Sequence, residues 1–391
     1  MKEIEVNPVF ILGSGINALG VIRSFAKIDL KPILINYYKD YAMYSRHTKW
    51  KICPYPHDSI QLLEFLINLS RKFPKPPVLF ITSDIFLDFI IKNIRELEKH
   101  FLIPIPKIEP LQKLLVKETM YQVAESANVP CPKTLVIESF DNFKDVTKKV
   151  EYPFIIKPSI NIGFSKIFNN KIVKVENKQE FREFMKTLNE SPIRDEVYVI
   201  QEYIDGYVED LYTITSYADK NHEVVGYSIG HKIRQYPPET GTITSGKIIH
   251  NAEILESARK FIKYAQFTGI SNIEFKKDKS DGKFKLMEIN PRTGLWNFSA
   301  LKCGVNLPLM AYNEILGKNI TPQFNHESSI IWLNTPVDLY YSVIANRKRN
   351  YKKYAISFPS WLKSIKGKKV DASFSWKDPL PFFIGAFHKY K

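Results

Sequence analysis

Late in the chain, a segment with the apolar alternation of a β-strand ends in polar residues. The segment Phe284–Asn290 alternates, so a strand here would direct Glu288 and Asn290 to one face and pack Met287 and Ile289 on the other. Arg292 follows directly after a proline. Its planar guanidinium could donate two hydrogen bonds to a carboxylate or a phosphoryl group. The segment therefore predicts a site for a cation and an anion.

A second acidic residue belongs to the same pattern. Glu274 lies between apolar residues, and the turn at Asp281-Gly282 would pair its strand antiparallel with the strand that holds Glu288 and Asn290. Two ionised carboxylates repel unless a cation separates them. Together with an amide oxygen they form a set of hard donors that Mg²⁺ prefers when phosphate oxygens complete its coordination. The alternative is a solvated sheet face with no metal.

Two kinds of element pattern divide the chain. The first part alternates strands and helices, which predicts a parallel α/β domain over residues 1–115. The later part has short strands without strict alternation, which is typical of an α+β fold. In the first part the strands are expected at 9–12, 32–36 and 78–82 and the helices at 16–27 and 84–99; later a helix is expected at 119–127 and strands at 154–157, 198–201, 211–217, 224–229, 272–276 and 284–289.

Composition narrows the class of protein. The chain has 391 residues, 44% of them hydrophobic and 25% charged, which fits a folded globular protein and excludes wholesale disorder. No apolar run is long enough to predict a membrane span or a secretory signal. Three scattered cysteines suit a reducing cytoplasm. The formal charge of +15 favours anionic partners without identifying one.

The acidic and basic residues at the strand ends resemble a known family. In ATP-grasp enzymes the last core strand reads Glu-x-Asn-x-Arg and follows an acidic residue on the neighbouring strand, which correspond to Glu288, Asn290, Arg292 and Glu274. The resemblance implies that the two acids and the Asn hold magnesium ions bridging the phosphates of ATP, with Mn²⁺ as the alternative metal. It implies that Arg292 contacts the acyl-phosphate or tetrahedral species. The likeness is to the group of D-aspartate ligases and carbamoyl-phosphate synthase large chains.

The same resemblance assigns two lysines to phosphate binding. Lys157 ends a short strand, as does the lysine that holds the α- and β-phosphates in the family, and Lys117 matches an earlier basic position. For each, the alternative is a solvated surface lysine. The phosphate-covering loop at 159–165 has one glycine where the family often has several, so fewer backbone donors would reach the phosphates.

A third segment resembles the family's adenine-binding hinge. The resemblance implies that Gln201 or Glu202 accepts the adenine amino protons and that the backbone at Glu202 and Ile204 completes the contact. Either Glu209 or Asp210 would meet the ribose hydroxyls. The sequence does not separate these two acids.

A basic segment follows on a later strand. Lys232 and Arg234 alternate onto one face, before the stretch at 239–242 that could lie over a ligand. In the D-aspartate ligase-like group such residues are expected near the γ-phosphate and the acceptor, so both are predicted to be catalytic. The alternative is that both are solvated.

The resemblance implies a Rossmann-like domain that precedes a two-lobed ATP-grasp domain. We expect the small lobe and its linker helix at 116–200, the large lobe with the metal site at 201–320, and a basic aromatic extension at 321–391. The extension is interpreted as a surface that packs its rings on the body, and nucleic acid is not expected as a partner. Its Ser375-Trp376-Lys377-Asp378-Pro379 segment is loosely similar to D-aspartate ligase-like proteins.

The predicted function is an ATP-dependent ligase that forms an acyl phosphate and couples it to an amine, with small-molecule carboxylate and amine substrates such as amino acids or an acidic peptide. A homodimer is left open. One rival is an NAD(P)-dependent oxidoreductase, because Gly13-x-Gly15-x-x-Ala18 could be a dinucleotide motif. The other rival is a non-catalytic protein that binds nucleotides or polyanions.

Overall fold

The computed structural model describes residues 6–158, 163–170, 172–238, 241–325, 329–348 and 351–388. The chain forms two compact units. Unit 1 contains residues 1–112, 207–274 and 289–391, and unit 2 contains residues 113–206 and 275–288. The division has four boundaries along the chain, and two of them fall within strands.

The strands of the described residues fall into three sheets. They are β1 (Val9–Leu12), β2 (Ile33–Asn36), β3 (Lys49–Ile52), β4 (Val78–Ile81), β5 (Thr134–Ile137), β6 (Phe154–Pro158), β7 (Val173–Val175), β8 (Tyr198–Glu202), β9 (Leu211–Ala218), β10 (Val224–Tyr236), β11 (Thr242–Ile249), β12 (Gly269–Lys277), β13 (Phe284–Asn290), β14 (Gln323–Phe324), β15 (Ile331–Leu333) and β16 (Lys369–Asp371).

The α-helices connect and cover these sheets. They are α1 (Gly15–Phe25), α2 (Ser59–Ser70), α3 (Asp84–Leu97), α4 (Ile108–Leu115), α5 (Lys117–Ser126), α6 (Val146–Lys149), α7 (Phe164–Phe168), α8 (Lys178–Asn189), α9 (Ala252–Tyr264), α10 (Asn297–Lys302), α11 (Leu307–Ile315), α12 (Thr335–Leu339), α13 (Asn346–Lys348), α14 (Phe358–Ser364) and α15 (Leu380–His388). A π-helical stretch follows α12 at Tyr340–Ala345, and five short 3-10 segments are described at Ala26–Ile28, Tyr41–Tyr44, Phe140–Asp145, Val208–Asp210 and Lys352–Tyr354.

A parallel sheet in unit 1 has the strand order β3-β2-β1-β4. β1, β2 and β4 are buried along their whole length and are apolar except for Asn36, as expected for parallel strands covered on both faces. β1 and β4 are adjacent although α1, β2 and β3 lie between them in sequence. The strand order therefore reverses beside β1, and a crevice for ligands is expected at the carboxyl ends of these strands.

The largest sheet has the order β13-β12-β9-β10-β11-β15-β16, with β14 beside β10. Trp296 packs over Gly230 of β10, where an added Cβ would lie 2.5 Å from the indole ring, so this position has no room for a side chain. Buried residues of β1, α1 and Trp332 belong to the same core. The core of unit 1 thus includes both its N-terminal sheet and β15 from the last quarter of the chain.

The third sheet lies in unit 2 and has the antiparallel order β5-β8-β6-β7. Phe143, Phe154, Phe184 and Tyr198 pack together behind it. Their rings fill a core separate from that of unit 1.

The expected α/β and α+β elements are confirmed, with differences at their ends. β10 extends to Tyr236 instead of ending at Ile229, because its polar residues continue to pair with β11. β3 was not predicted, since its Lys-Trp-Lys-Ile alternation is only four residues long and all four residues are exposed. Residues 159–162 of the predicted phosphate-covering loop, and Glu239 and Thr240, lie outside the described residues.

The predicted domain limits remain predictions. In the structure, part of the basic extension is built into unit 1, because β15 and β16 join the largest sheet. Asp378 of the D-aspartate ligase-like segment is buried and accepts hydrogen bonds from Arg23 and Ser45. Among the described residues no helix is long and apolar enough to cross a membrane.

Candidate functional site

Two lysines and a carboxylate lie together in unit 2. Lys117 begins α5, and its Nζ atom is 3.9 Å from Oε2 of Glu288 in β13. The pKa of Lys157 in β6 is lowered, first by burial of the ammonium and then by repulsion from Lys117, with Glu118 acting in the opposite direction. No ion pair of Lys157 occurs within the described ranges. Two mutually repelling ammonium groups can accommodate a polyanion such as a phosphate chain.

The side chain of Gln201 is enclosed by unit 2. It is 4% exposed, and its Nε2 atom donates to Oγ1 of Thr134 over 3.3 Å. Burial raises the pKa of the nearby Tyr121, and Gln201 acts in the opposite direction. The side chain of Gln201 therefore helps to fix β8.

Glu202 is held by a lysine that the sequence interpretation missed. The Nζ atom of Lys285 lies 2.7 Å from Glu202 and 2.6 Å from Asp278. Burial lowers the pKa of Lys285, but hydrogen bonds to Asp278 and Glu202 outweigh burial and raise it. The other oxygen of Glu202 accepts from the backbone N–H of Lys133. The only sequence signal for this network was a lysine placed between apolar residues of a strand.

The remaining hinge residues differ in how they are engaged. The Ile204 carbonyl accepts a hydrogen bond of 2.8 Å from Nζ of Lys276. In unit 1, Asp210 accepts from the backbone N–H of Tyr207 over 2.8 Å. For Glu209 the contact found is at its backbone carbonyl, with the ring of His231. Asp210 thus has a local structural role that Glu209 does not share.

A buried ion pair joins two predicted site residues in unit 1. Nζ of Lys232, on β10, lies 3.0 and 3.2 Å from the two carboxylate oxygens of Glu274, on β12. Lys232 is buried and Glu274 is partly exposed. The ammonium of Lys232 therefore compensates the negative charge of Glu274, which the sequence predicts to be a metal ligand.

Arg292 binds a carboxylate through two hydrogen bonds. Its Nε and Nη2 atoms donate to the two oxygens of Asp84 over 2.6 and 2.8 Å. Nη2 also lies 3.5 Å from Oδ1 of Asn290. The Arg292 side chain is 14% exposed, whereas that of Asp84, at the start of α3, is 72% exposed. Arg292 can therefore hold a carboxylate in a planar, two-point geometry at the carboxyl end of the N-terminal sheet.

Arg234 has a different environment from Lys232. A β-bulge interrupts the pairing of β10 with β11 on both sides of Arg234. Its Nε and Nη2 atoms donate to Asp338 over 3.0 and 2.7 Å, and Nη1 donates to Ser364. Lys232 and Arg234 therefore contact different acidic partners.

The glycine turn after β1 already contains a carboxylate. The Gly15 N–H donates to Oδ1 of Asp40 over 2.9 Å, and Oγ of Ser14 shares a hydrogen bond with the Tyr38 hydroxyl. A dinucleotide pyrophosphate needs such N–H groups and would be repelled by Asp40. At the end of β2, where a dehydrogenase has an acid for the ribose, stands Asn36. This arrangement disfavours the oxidoreductase.

The donor types at the predicted metal site suit a hard cation. Glu274 and Glu288 each have an ammonium group nearby, from Lys232 and Lys117 respectively. Carboxylate and amide oxygens are donor types that magnesium prefers, and the assignment of Glu274, Glu288 and Asn290 as its ligands stays a prediction. Among the described residues there is no group of three or more His, Cys, Asp or Glu side chains that could hold a metal without other ligands. Phosphate oxygens would have to complete the coordination.

Comparison with known proteins supports the family resemblance. Residues 228–336 match a family model described as ATP-grasp in the biosynthetic pathway with Ter operon. The chain is 25% identical to a D-aspartate ligase from Enterococcus faecium over 364 residues, covering 87% of the chain and 86% of that ligase. It is 27% identical over 184 residues to a carbamoyl phosphate synthase large chain from Xylella fastidiosa, but it covers only 16% of that protein.

A solved structure shares the fold. An L-amino acid ligase from Bacillus licheniformis superposes with a TM-score of 0.57 and 15% sequence identity, covering 80% of this chain and 74% of the ligase. At this identity the match demonstrates the fold. The chain thus matches an ATP-grasp family model over residues 228–336 and is similar over most of its length to a D-aspartate ligase, in agreement with the resemblance seen in its sequence.

Proposed function

We propose that the chain activates the carboxylate of an amino acid with ATP and couples it to an amine. The observation that carries this proposal is the two-point contact of Arg292 with the exposed carboxylate of Asp84. A substrate carboxylate can replace Asp84 because solvent reaches that side chain. The relative that acts on D-aspartate makes this amino acid the first candidate substrate.

The reaction has two balanced steps. A carboxylate oxygen attacks the γ-phosphorus of ATP, the bond from that phosphorus to the β–γ bridging oxygen breaks, and ADP and an acyl phosphate result. The amine nitrogen then attacks the acyl carbon, the bond between that carbon and the phosphate oxygen breaks, and the amine loses a proton to water. No covalent protein intermediate is required.

The predicted residues divide between phosphate and acyl groups. Lys117 and Lys157 would hold ATP phosphates, a role that is supported by their proximity and by the lowered pKa of Lys157. Arg292 would orient the substrate carboxylate and stabilise the oxyanion formed when the amine attacks. Lys232, paired with the proposed metal ligand Glu274, would stabilise charge on the transferred phosphoryl oxygens. Arg234 stays a predicted catalytic residue.

The remaining assignments concern the nucleotide and the metal. Glu274, Glu288 and Asn290 would hold magnesium, which when bound neutralises the charge on the phosphates. The backbone at Glu202 and Ile204, with Gln201, would contact adenine. Of the two acids proposed for the ribose, Glu209 is favoured because Asp210 accepts a local backbone hydrogen bond.

The proposal can be tested by substrate-dependent phosphate release. The purified chain is incubated with ATP and magnesium and with single amino acids, D-aspartate first, in the presence and absence of an amine pool, and products are identified by mass spectrometry. We expect phosphate release that requires both a carboxylate and an amine, together with an amide product. Phosphate release that yields no amide product with any combination of amino acid and amine would contradict ligation.

A matched variant assigns the activity to the proposed site. Glu288→Gln keeps the side-chain size and removes the charge, so it should abolish turnover while leaving the thermal unfolding temperature close to that of the wild type. Glu64→Gln, in the exposed part of α2, is the control and should retain full activity. Normal activity of Glu288→Gln would remove the metal assignment. A cytoplasmic location and a homodimer remain predictions.

A further inference from the structure

A pocket in unit 1 has no role in the proposed reaction. Its volume is about 700 Å³, and it lies between α10, β16 and the segment that precedes α15. None of the predicted site residues lines it. The lining includes Phe298, Lys302, Asp371, Phe374, Trp376 and Lys377. The volume is within the usual range for sites that bind small organic molecules.

One wall of the pocket is aromatic. Phe374 contacts Trp376 edge to face, with ring centroids 4.9 Å apart, and contacts Phe382 at 5.2 Å. Trp376 is 89% exposed. A large ring supported by a second ring and left in water offers an unoccupied face for a flat apolar group.

The pocket also contains three lysines. Lys302, Lys369 and Lys377 form no ion pair with any residue in the described ranges. The pKa of Lys302 is lowered, first by partial burial of the ammonium and then by repulsion from the nearby cations Arg23, Lys377 and Lys27. The positive charges in this pocket therefore lack an anion.

The acidic residue in the lining forms no ion pair with these lysines among the described residues. Oδ1 of Asp371 accepts from the backbone N–H groups of Ser373 and Phe374 over 2.8 and 2.6 Å. Its Oδ2 accepts from the Thr335 N–H over 3.1 Å. Both carboxylate oxygens thus serve to fix the loop, and three lysines against one carboxylate give the lining a net positive charge.

A buried arginine holds the pocket in shape. Arg23 is 6% exposed, donates to the Ser373 carbonyl over 2.8 Å and pairs with Asp378 at 3.1 Å. Its guanidinium lies 4.9 Å from the ring centroid of Phe298, and Nη1 has no hydrogen-bond partner among the described residues. The loop that carries Trp376 and Lys377 is therefore held by Arg23 at Ser373 and at Asp378, which gives a preformed site.

We propose that this pocket binds a small organic anion that carries a flat apolar group, with its charge beside Lys302 and Lys377 and its flat group on Trp376 and Phe374. The ligand would be an effector, and its binding does not depend on the ligase activity. The proposal goes beyond the nucleotide and carboxylate sites, because its residues are not among those that serve them.

The test is a binding measurement with a matched pair of probes. Naphthalene-2-sulfonate is titrated into the full-length chain by isothermal titration calorimetry, in parallel with neutral naphthalene-2-sulfonamide, in saturating magnesium and ADP. We expect saturable binding of the sulfonate and about tenfold weaker binding of the sulfonamide, since three unpaired lysines favour the anion. Equal affinity for both probes, or no saturable binding of the sulfonate, would overturn the proposal.

Variants locate the probe. Trp376→Ala should weaken sulfonate binding about tenfold through loss of the aromatic contact. Lys302→Met should weaken it about threefold. Lys366→Met, an exposed lysine outside the lining, is the control and should bind like the wild type. Unchanged affinity in both Trp376→Ala and Lys302→Met would place the probe elsewhere and contradict the assignment.

Discussion

Two arginines of unit 1 hold carboxylates in the same way but in different surroundings. Arg234 and Arg292 each donate two hydrogen bonds to one acidic side chain. The partner of Arg234, Asp338, has a fully buried side chain, whereas the partner of Arg292, Asp84, is 72% exposed. A ligand can take the place of an acidic partner on an arginine only where that partner is accessible to solvent. The difference assigns a structural contact to Arg234 and an exchangeable contact to Arg292.

The surroundings of Asp338 strengthen the contrast. Besides Arg234, it accepts hydrogen bonds of 2.7 Å from Thr244 and from Nε1 of Trp361. Removal of any one partner would leave part of a buried charge unsatisfied. Asp84 has no such burial, and its loss would leave Arg292 accessible to water.

The largest expected effect is on stability. Arg234→Ala should lower the free energy of unfolding by about 3–5 kcal/mol, because Asp338 becomes a buried charge without its main partner. Urea unfolding followed by fluorescence measures this change. A stability equal to that of the wild type would contradict the structural role.

A double variant separates stability from catalysis at this position. Arg234→Met combined with Asp338→Leu removes both charges and should recover most of the lost stability. If the recovered protein is active, Arg234 has only the structural role; if it is stable and inactive, the predicted catalytic role of Arg234 is correct.

The second effect is on activity. Arg292→Ala should lower kcat/KM about 10²–10³-fold, as expected when a donor to a developing oxyanion is lost, with little change in unfolding. Steady-state phosphate release measures it. Arg71→Ala, at the exposed end of α2, is the matched control and should retain wild-type kinetics. A variant of Arg292 with normal kcat/KM would remove the basis of the comparison.

A smaller effect is expected at the third partner of Asp338. Trp361→Phe keeps most of the ring but removes its donor, and should lower the free energy of unfolding by about 1 kcal/mol. Trp50→Phe, on the exposed strand β3, is the control and should leave stability unchanged. Equal effects of the two substitutions would argue against a buried hydrogen bond to Asp338.

The smallest effect is expected at the exchangeable carboxylate. Asp84→Asn weakens the competitor for Arg292, so the KM for the carboxylate substrate should fall by about twofold to fivefold, in line with the modest energy of an exposed ion pair. The change should be seen in KM with kcat nearly unchanged. A rise in KM would instead indicate that Asp84 itself binds substrate.

The comparison also shows what the sequence could reveal. Apolar runs predicted β1, β2 and β4, and alternation predicted β13, because burial on one or both faces leaves a local pattern. The pair between Arg292 and Asp84 joins residues 208 positions apart and leaves no such pattern. The sequence predicted both Arg234 and Arg292 to be catalytic. It did not show that one has a buried acidic partner and the other an exposed one, since that exposure is decided by tertiary packing.

The same limit applies to the hinge. The resemblance identified Gln201 and Glu202, but it could not show that their side chains are engaged by Thr134 and Lys285. These contacts depend on the pairing of β8 with neighbouring strands. Long-range partners of polar residues therefore account for most of what the sequence left undetermined.

The central claim is that the substrate carboxylate becomes an acyl phosphate. It is tested most directly with D-aspartate, or the amino acid found to support turnover, labelled with ¹⁸O in its carboxylates, by mass analysis of the released phosphate. Transfer through an acyl phosphate predicts that each turnover produces phosphate containing one ¹⁸O atom from the substrate. Phosphate without label, released together with amide product, would contradict the account.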